Sequence, residues 1–162
     1  MSVSASRQVI QVLRPRPAVE RAVEQAAAAL DYSGTRALRV LLHAGVSALW
    51  PAIKATPEKQ VRSYESTIAA LRRRWEAGGG CSPDSTVAAL FRDLDAEVAA
   101  FLQLCADRSR TEWLEPVEAV AAYSVAVMQG TVLRWLADCD DETTLVVLDD
   151  LVSSLSTKAA DL

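Results

Sequence analysis

The chain is predicted to be all-α, a single bundle of about seven helices, and three observations predict it. Apolar residues recur at steps of three and four, as in Leu145, Leu148, Val152 and Leu155. Most glycines and prolines fall where such stretches begin or end. No run makes a convincing strand. With 162 residues, 51% of them hydrophobic, the chain can fill one core and is too short for two ordinary domains.

Taken in order, Ser4 to Leu13 reads as a short helix broken by Pro15 and Pro17, and Ala18 to Leu30 as an alanine-rich one. Asp31, Tyr32, Ser33 and Gly34 make the next break. Thr35 to Ala55 places Leu38, Leu41, Leu42, Val46 and Leu49 at core spacing, with a kink expected at Pro51. Thr56 at an N-cap, Pro57 at the first helical position and Glu58 in the first turn start a helix that runs to about Ala77, where Gly78, Gly79 and Gly80 stop it. Ser82, Pro83 and Asp84 repeat the start signal for a helix reaching about Asp107. Pro116 opens the next helix, to Ala137, in which only Glu118 and Arg134 are charged. A helix apolar on nearly every face must be covered from both sides, and in so short a chain a second subunit is the natural cover. After the turn DCDDET, the last helix carries Leu145, Leu148, Val152 and Leu155 with Asp149, Asp150, Ser153 and Ser154 between them.

The formal charge of −4 is unevenly placed: Arg7, Arg14 and Arg16 precede any acid, while Asp138, Asp140, Asp141 and Glu142 crowd the last turn. The body is therefore no general nucleic-acid binder, and a phosphate backbone would meet the N-terminus. Cys81, Cys105 and Cys139 have neither zinc nor redox-pair spacing and read as reduced cytosolic thiols. MSVSASRQ lacks the apolar core of a signal peptide. Gln129 and Arg134 argue that the apolar helix is buried in protein and not in a membrane.

Candidate chemistry is sparse. His43, between Leu42 and Ala44, reads as a packed or hydrogen-bonded core histidine in preference to a ligand contact; Arg72, Arg73 and Arg74 as a solvated helix end in preference to a phosphate site; and Gly78 to Gly80 lack the lysine and hydroxyl of a P-loop. No metal set or nucleophile elbow is present, so neither an enzyme nor a cofactor is expected. Trp50, Tyr64, Phe101, Cys105, Tyr123 and Met128 come from different helices and are the candidate walls of a small-molecule cavity, although the same residues equally describe a filled core. Ala119, Ala122, Ala126, Gly130 and Leu133 form a mostly small-residue stripe that admits a close helix neighbour, inside the chain or across a dimer seam. With Leu145, Leu148, Val152 and Leu155 of the last helix they are the candidate dimer interface.

The block AVAAYSVAVMQGTVLRWLADCDDETTLVVLDDLV resembles the C-terminal region of TetR-type transcriptional regulators, and ALWPAIKATPEKQVRSYESTIAALRRR is similar to ligand-domain helices in a branch of that family. SASRQVIQVLRPRPAV is similar to the family's recognition helix and its exit, with Val9 and Leu13 as apolar anchors, Arg16 at the basic position and Val19 starting the connecting helix. It departs from the pattern in that Val3 stands at the usual turn glycine, Ile10 and Val12 replace aromatic or histidine residues, and no earlier helices precede it. The resemblance implies that Ser6, Arg7, Gln8 and Gln11 face bases and Arg16 a phosphate. It divides the chain into residues 1–31, the remnant of a helix-turn-helix with the connecting helix, and residues 32–162, a sensing and dimerising bundle. In the intact family, ligand binding shifts the connecting helix and with it the separation of two reading heads about one helical turn apart.

Two functions follow as expectations. One is a cytoplasmic TetR-like regulator that homodimerises and senses a small apolar or aromatic effector, binding DNA only where a helix-turn-helix segment upstream is restored. The other is a helical dimerisation module with neither ligand nor DNA. Neither involves a membrane.

Overall fold

The computed structural model describes residues 16–78, 80 and 82–162. Among them, six helices and two short strands follow in the order α1 (Arg16–Ala29), α2 (Thr35–Lys54), α3 (Pro57–Glu76), α4 (Ser85–Ser109), β1 (Thr111–Trp113), α5 (Val117–Asp138), α6 (Asp141–Ser156) and β2 (Ala159–Asp161). The helix expected over Ser4 to Leu13 lies outside the described residues.

The central element is α2. It packs against α1, α4 and α6 and buries Leu38, Leu41, Leu42, Trp50 and Ile53, which recur at helical spacing. The helix runs on through Pro51 to Lys54, and the Ala55 amide closes on the Pro51 carbonyl at 3.0 Å. Val23 of α1, Leu102 and Cys105 of α4, Val120 and Val132 of α5, and Leu148, Val152 and Leu155 of α6 complete one continuous core. By contrast α3 packs loosely, and Gln60 is its one buried residue.

Local chemistry explains the helix ends. Asp84 accepts from the amides of Thr86 and Val87 at 3.0 and 2.9 Å, and Asp140 accepts from the Thr143 amide at 3.0 Å. Such caps satisfy donors that the helix itself cannot, each worth about 1 kcal/mol. Thr56 occupies its N-cap position without capping, because its hydroxyl donates backward to the Ala52 carbonyl at 3.4 Å.

The absence of strands was a wrong expectation. Residues 111–113 pair antiparallel with residues 159–161, Thr111 opposite Asp161 and Trp113 opposite Ala159. Three-residue strands are too short to display a two-residue period, which is why the sequence conceals them. The pairing brings Asp161 to the start of α2, where its carboxylate accepts from the Thr35 amide at 2.6 Å. Gly34 has φ 86°, and a Cβ there would stand 2.7 Å from an Asp161 oxygen, so both backbone angle and space require glycine.

Candidate ligand cavity and assembly face

A cavity of about 690 Å³ lies among five helices, within the size range of small-molecule sites. One face of α1 supplies Pro17, Glu20, Arg21, Glu24 and Gln25, spaced so that they share that face. Opposite them, α4 contributes Leu94, Glu97, Val98 and Phe101 at the same spacing. Gly45, Val46 and Leu49 of α2, Ser124, Val125 and Met128 of α5, and Leu151 and Leu155 of α6 line the remainder. The exposed residues Glu20, Arg21, Glu24 and Gln25 mark the mouth, and the buried Leu94, Leu102, Val125 and Leu155 lie in its depth.

Two contacts shape this space. A Cβ on Gly45 would lie 2.3 Å from the edge of the Phe101 ring, so only glycine lets the ring settle on the α2 backbone. Beside the mouth, Arg108 donates from Nε and Nη2 to the two Glu24 oxygens at 2.9 and 2.8 Å. This hydrogen-bonded pairing holds the Glu24 carboxyl below its ordinary pKa and raises that of Arg108. It fastens α1 to the last turn of α4 while both groups stay in solvent.

The residues expected to wall a ligand site separate. Phe101 and Met128 line the cavity; Trp50, Tyr64, Cys105 and Tyr123 do not. Trp50 packs edge-on against Trp135 at 5.5 Å between ring centroids. Trp135 in turn donates to Asp141 at 2.9 Å, and Asp141 also takes the Lys54 ammonium; these bonds hold the Asp141 carboxyl below its ordinary range. Tyr64 ties α3 to α5 by donating to the Gln129 carbonyl at 2.6 Å, and burial pushes its hydroxyl up to about 12. Cys105 is fully buried, its thiol likewise pushed up to about 12 by burial. Tyr123 is exposed, with Ser154 Oγ 3.3 Å from its hydroxyl. Aromatics are large core fillers first, and here only Phe101 meets the void. The α1 face and the aliphatic α2 and α4 residues carried no aromatic signal. Gly45 carried a different signal, since a glycine inside a helix costs about 1 kcal/mol and marks a close approach.

The residues expected at a dimer seam divide as well. On α5, Val120, Ala121, Ser124, Val125, Met128, Thr131, Val132 and Trp135 are buried within the chain. The opposite face exposes Ala119, Ala122, Ala126, Gly130 and Leu133, and among the described residues nothing outside the helix's own backbone comes within 4 Å of a Cβ built on Gly130. Leu145 is exposed beside Val146, each at 57%. Leu148, Val152 and Leu155 instead turn inward to the same core as α2. They lie at the expected helical spacing, but that spacing fixes a stripe without saying which neighbour covers it.

His43 corrects an expectation: it is not in the core but exposed, its Nδ1 3.3 Å from Ser47 Oγ, because the apolar residues beside it point away around the helix. Arg72 and Arg73 are solvent-exposed at the end of α3, while Arg74 bonds the Ser82 carbonyl and lies 5.1 Å from the centroid of the exposed Trp75 ring. Ser6, Arg7, Gln8 and Gln11 lie outside the described residues, as does the side chain of Arg16, whose backbone opens α1. Among the described residues, no helix is long and apolar enough to cross a membrane. No family model, curated protein or solved structure matches the chain.

Proposed function

We propose that this chain is the effector-sensing, homodimerising part of a TetR-like transcriptional regulator, acting in the cytoplasm without catalysis. The observation that carries the reading is the makeup of the cavity wall: α1 belongs to it from Pro17 to Gln25. A ligand seated there touches α1 directly, so its binding energy can favour one position of α1 over another. In the family that this sequence resembles, the corresponding helix leads to the DNA-reading unit. In this reading DNA recognition requires a complete helix-turn-helix, with Ser6, Arg7, Gln8, Gln11 and Arg16 in its recognition helix.

The exposed α5 face supports self-association, since small residues permit close helix approach and a two-fold axis would set the stripe against its copy. The same face also favours a second reading, a dimerisation module in which the cavity is incidental. A thermal-shift screen of apolar and aromatic compounds separates them. A ligand at about a hundred times its dissociation constant adds about 2.7 kcal/mol, or roughly 5–10 °C for a domain of this size. Hits that weaken in Val98→Trp, which takes up part of the cavity, support the sensor. A screen without hits supports the module.

A further inference from the structure

The outward side of α3 carries a stripe that the described chain leaves uncovered. Val61, Glu65, Ile68, Arg72 and Trp75 recur at alternating steps of four and three, which sets them in one line along the helix. All five are exposed, the apolar Val61, Ile68 and Trp75 at 42%, 54% and 57%. A different side of the same helix faces the chain, through the buried Gln60 and the bond from Tyr64 to the Gln129 carbonyl. Three large apolar side chains on one exposed stripe mark an interaction surface, and tryptophan is among the commonest anchors of such surfaces.

Charge indicates what covers it. Glu65 precedes Ile68 by three residues and Arg72 follows it by four, with Val61 and Trp75 seven residues away on either side. A two-fold axis at Ile68 turns the stripe antiparallel onto its copy, so that Ile68 meets Ile68, Val61 meets Trp75, and Glu65 meets Arg72 at two symmetric places. On the same helix Glu58 holds Arg62 at 3.3 Å, but among the described residues neither Glu65 nor Arg72 is engaged in an ion pair. Parallel pairing would instead set Glu65 on Glu65 and Arg72 on Arg72, which like charge disfavours.

We infer that α3 pairs antiparallel with α3 of a second copy of this chain. The stripe lies on a different helix from the exposed α5 face and does not involve the cavity, so the contact stands apart from both. One pair of helices is small for a stable interface, so the contact forms in concentrated protein, above the micromolar range in which pairing at α5 is read.

Disulfide trapping tests it, because a residue on the axis is brought against itself. Packed helices bring facing Cα atoms to about 5–6 Å, the span of a disulfide. In a Cys81→Ser, Cys139→Ser background, at sub-millimolar concentration under mild oxidant, Ile68→Cys should form a covalent dimer. It should do so about tenfold faster than Ser66→Cys, an exposed position on another side of α3. Adding Glu65→Arg or Arg72→Glu replaces two attractive pairs by two repulsive ones and should slow trapping about tenfold. Making both changes together restores opposite charges and should restore the rate. Every substituted α3 position is exposed, and unchanged circular dichroism verifies the fold. Trapping at Ile68→Cys no faster than at Ser66→Cys would overturn the inference. So would trapping that ignores the single reversals, or that the double exchange fails to restore, since another partner or another orientation would then cover the stripe.

Discussion

At Gly45 a single hydrogen decides the shape of the cavity. Replacing it with a methyl group drives Phe101 away from the α2 backbone, and the nearest free space is the cavity itself. Gly45→Ala is therefore expected to change stability by less than about 1 kcal/mol, because the gain in helix propensity offsets the shift of a ring that has room to move. Affinity for an apolar probe should fall about tenfold as the ring takes up volume. Denaturant unfolding and probe titration of the same variant check both halves, and a loss of several kcal/mol would show that Phe101 has nowhere to go. The thiols make a second residue-scale test. Cys105 is fully buried with its pKa raised to about 12, whereas Cys139 is exposed at the end of α5. A thiol that high holds only about one part in ten thousand as thiolate at pH 8. In a Cys81→Ser background, a thiol-specific reagent should label Cys139 quickly and Cys105 only on unfolding. Rapid labelling of both would contradict the burial of α4. Gly45 was open to reading from the sequence as a glycine inside a helix, but nothing there could name Phe101 as the ring that needed it.

At the scale of elements, α5 is a helix with two fates. Its inner face is consumed by the core, and on its outer face a Cβ built on Gly130 meets no other described residue within 4 Å. Gly130→Arg should therefore leave the monomer fold intact, while a long charged side chain at a close helix crossing blocks self-association. Light scattering at micromolar concentration should give a dimer for the parent chain and a monomer for the variant, both with the same helical circular dichroism. A dimer in both would remove the α5 face from the interface. Leu148→Ala is the matching control: this side chain is 4% exposed inside the core, so its truncation should cost about 2–5 kcal/mol of stability whatever the assembly state. The described helices were legible within a few residues because proline, glycine and cap residues carry local physics. The start signal at Ser82, Pro83 and Asp84 is offset, since Asp84 is itself the cap, while Thr56 holds the N-cap position and spends its hydroxyl on the preceding turn. The β1 and β2 pair was not legible, since it depends on residues far apart in sequence meeting over three positions each. For the same reason the inward turn of Leu148, Val152 and Leu155 could not be told from an outward one.

The whole molecule joins a cavity, a helix that walls it and an outer face suited to a second copy. Charge adds a constraint on partners. With a formal charge of −4 and an N-terminal stretch in which Arg7, Arg14 and Arg16 precede any acid, the 162-residue chain should attract duplex DNA weakly and lose that attraction as salt rises. A gel shift near physiological salt should show no sequence preference, and nanomolar binding to a palindromic site would contradict the requirement for a complete helix-turn-helix. The candidate site was only partly legible: Phe101 and Met128 were found through their type, but Trp50, Tyr64, Cys105 and Tyr123 share that type and serve as packing, strut and surface. The central claim is that the void between α1 and α4 holds an apolar ligand. Titration with Nile red, a neutral dye that brightens in apolar surroundings, tests it most directly. Saturable fluorescence with one dye per chain is expected, with affinity lowered by Val98→Trp, which takes up part of the cavity, while the helical fold is retained. Dye binding that Val98→Trp leaves untouched, or no saturable binding at all, would contradict it.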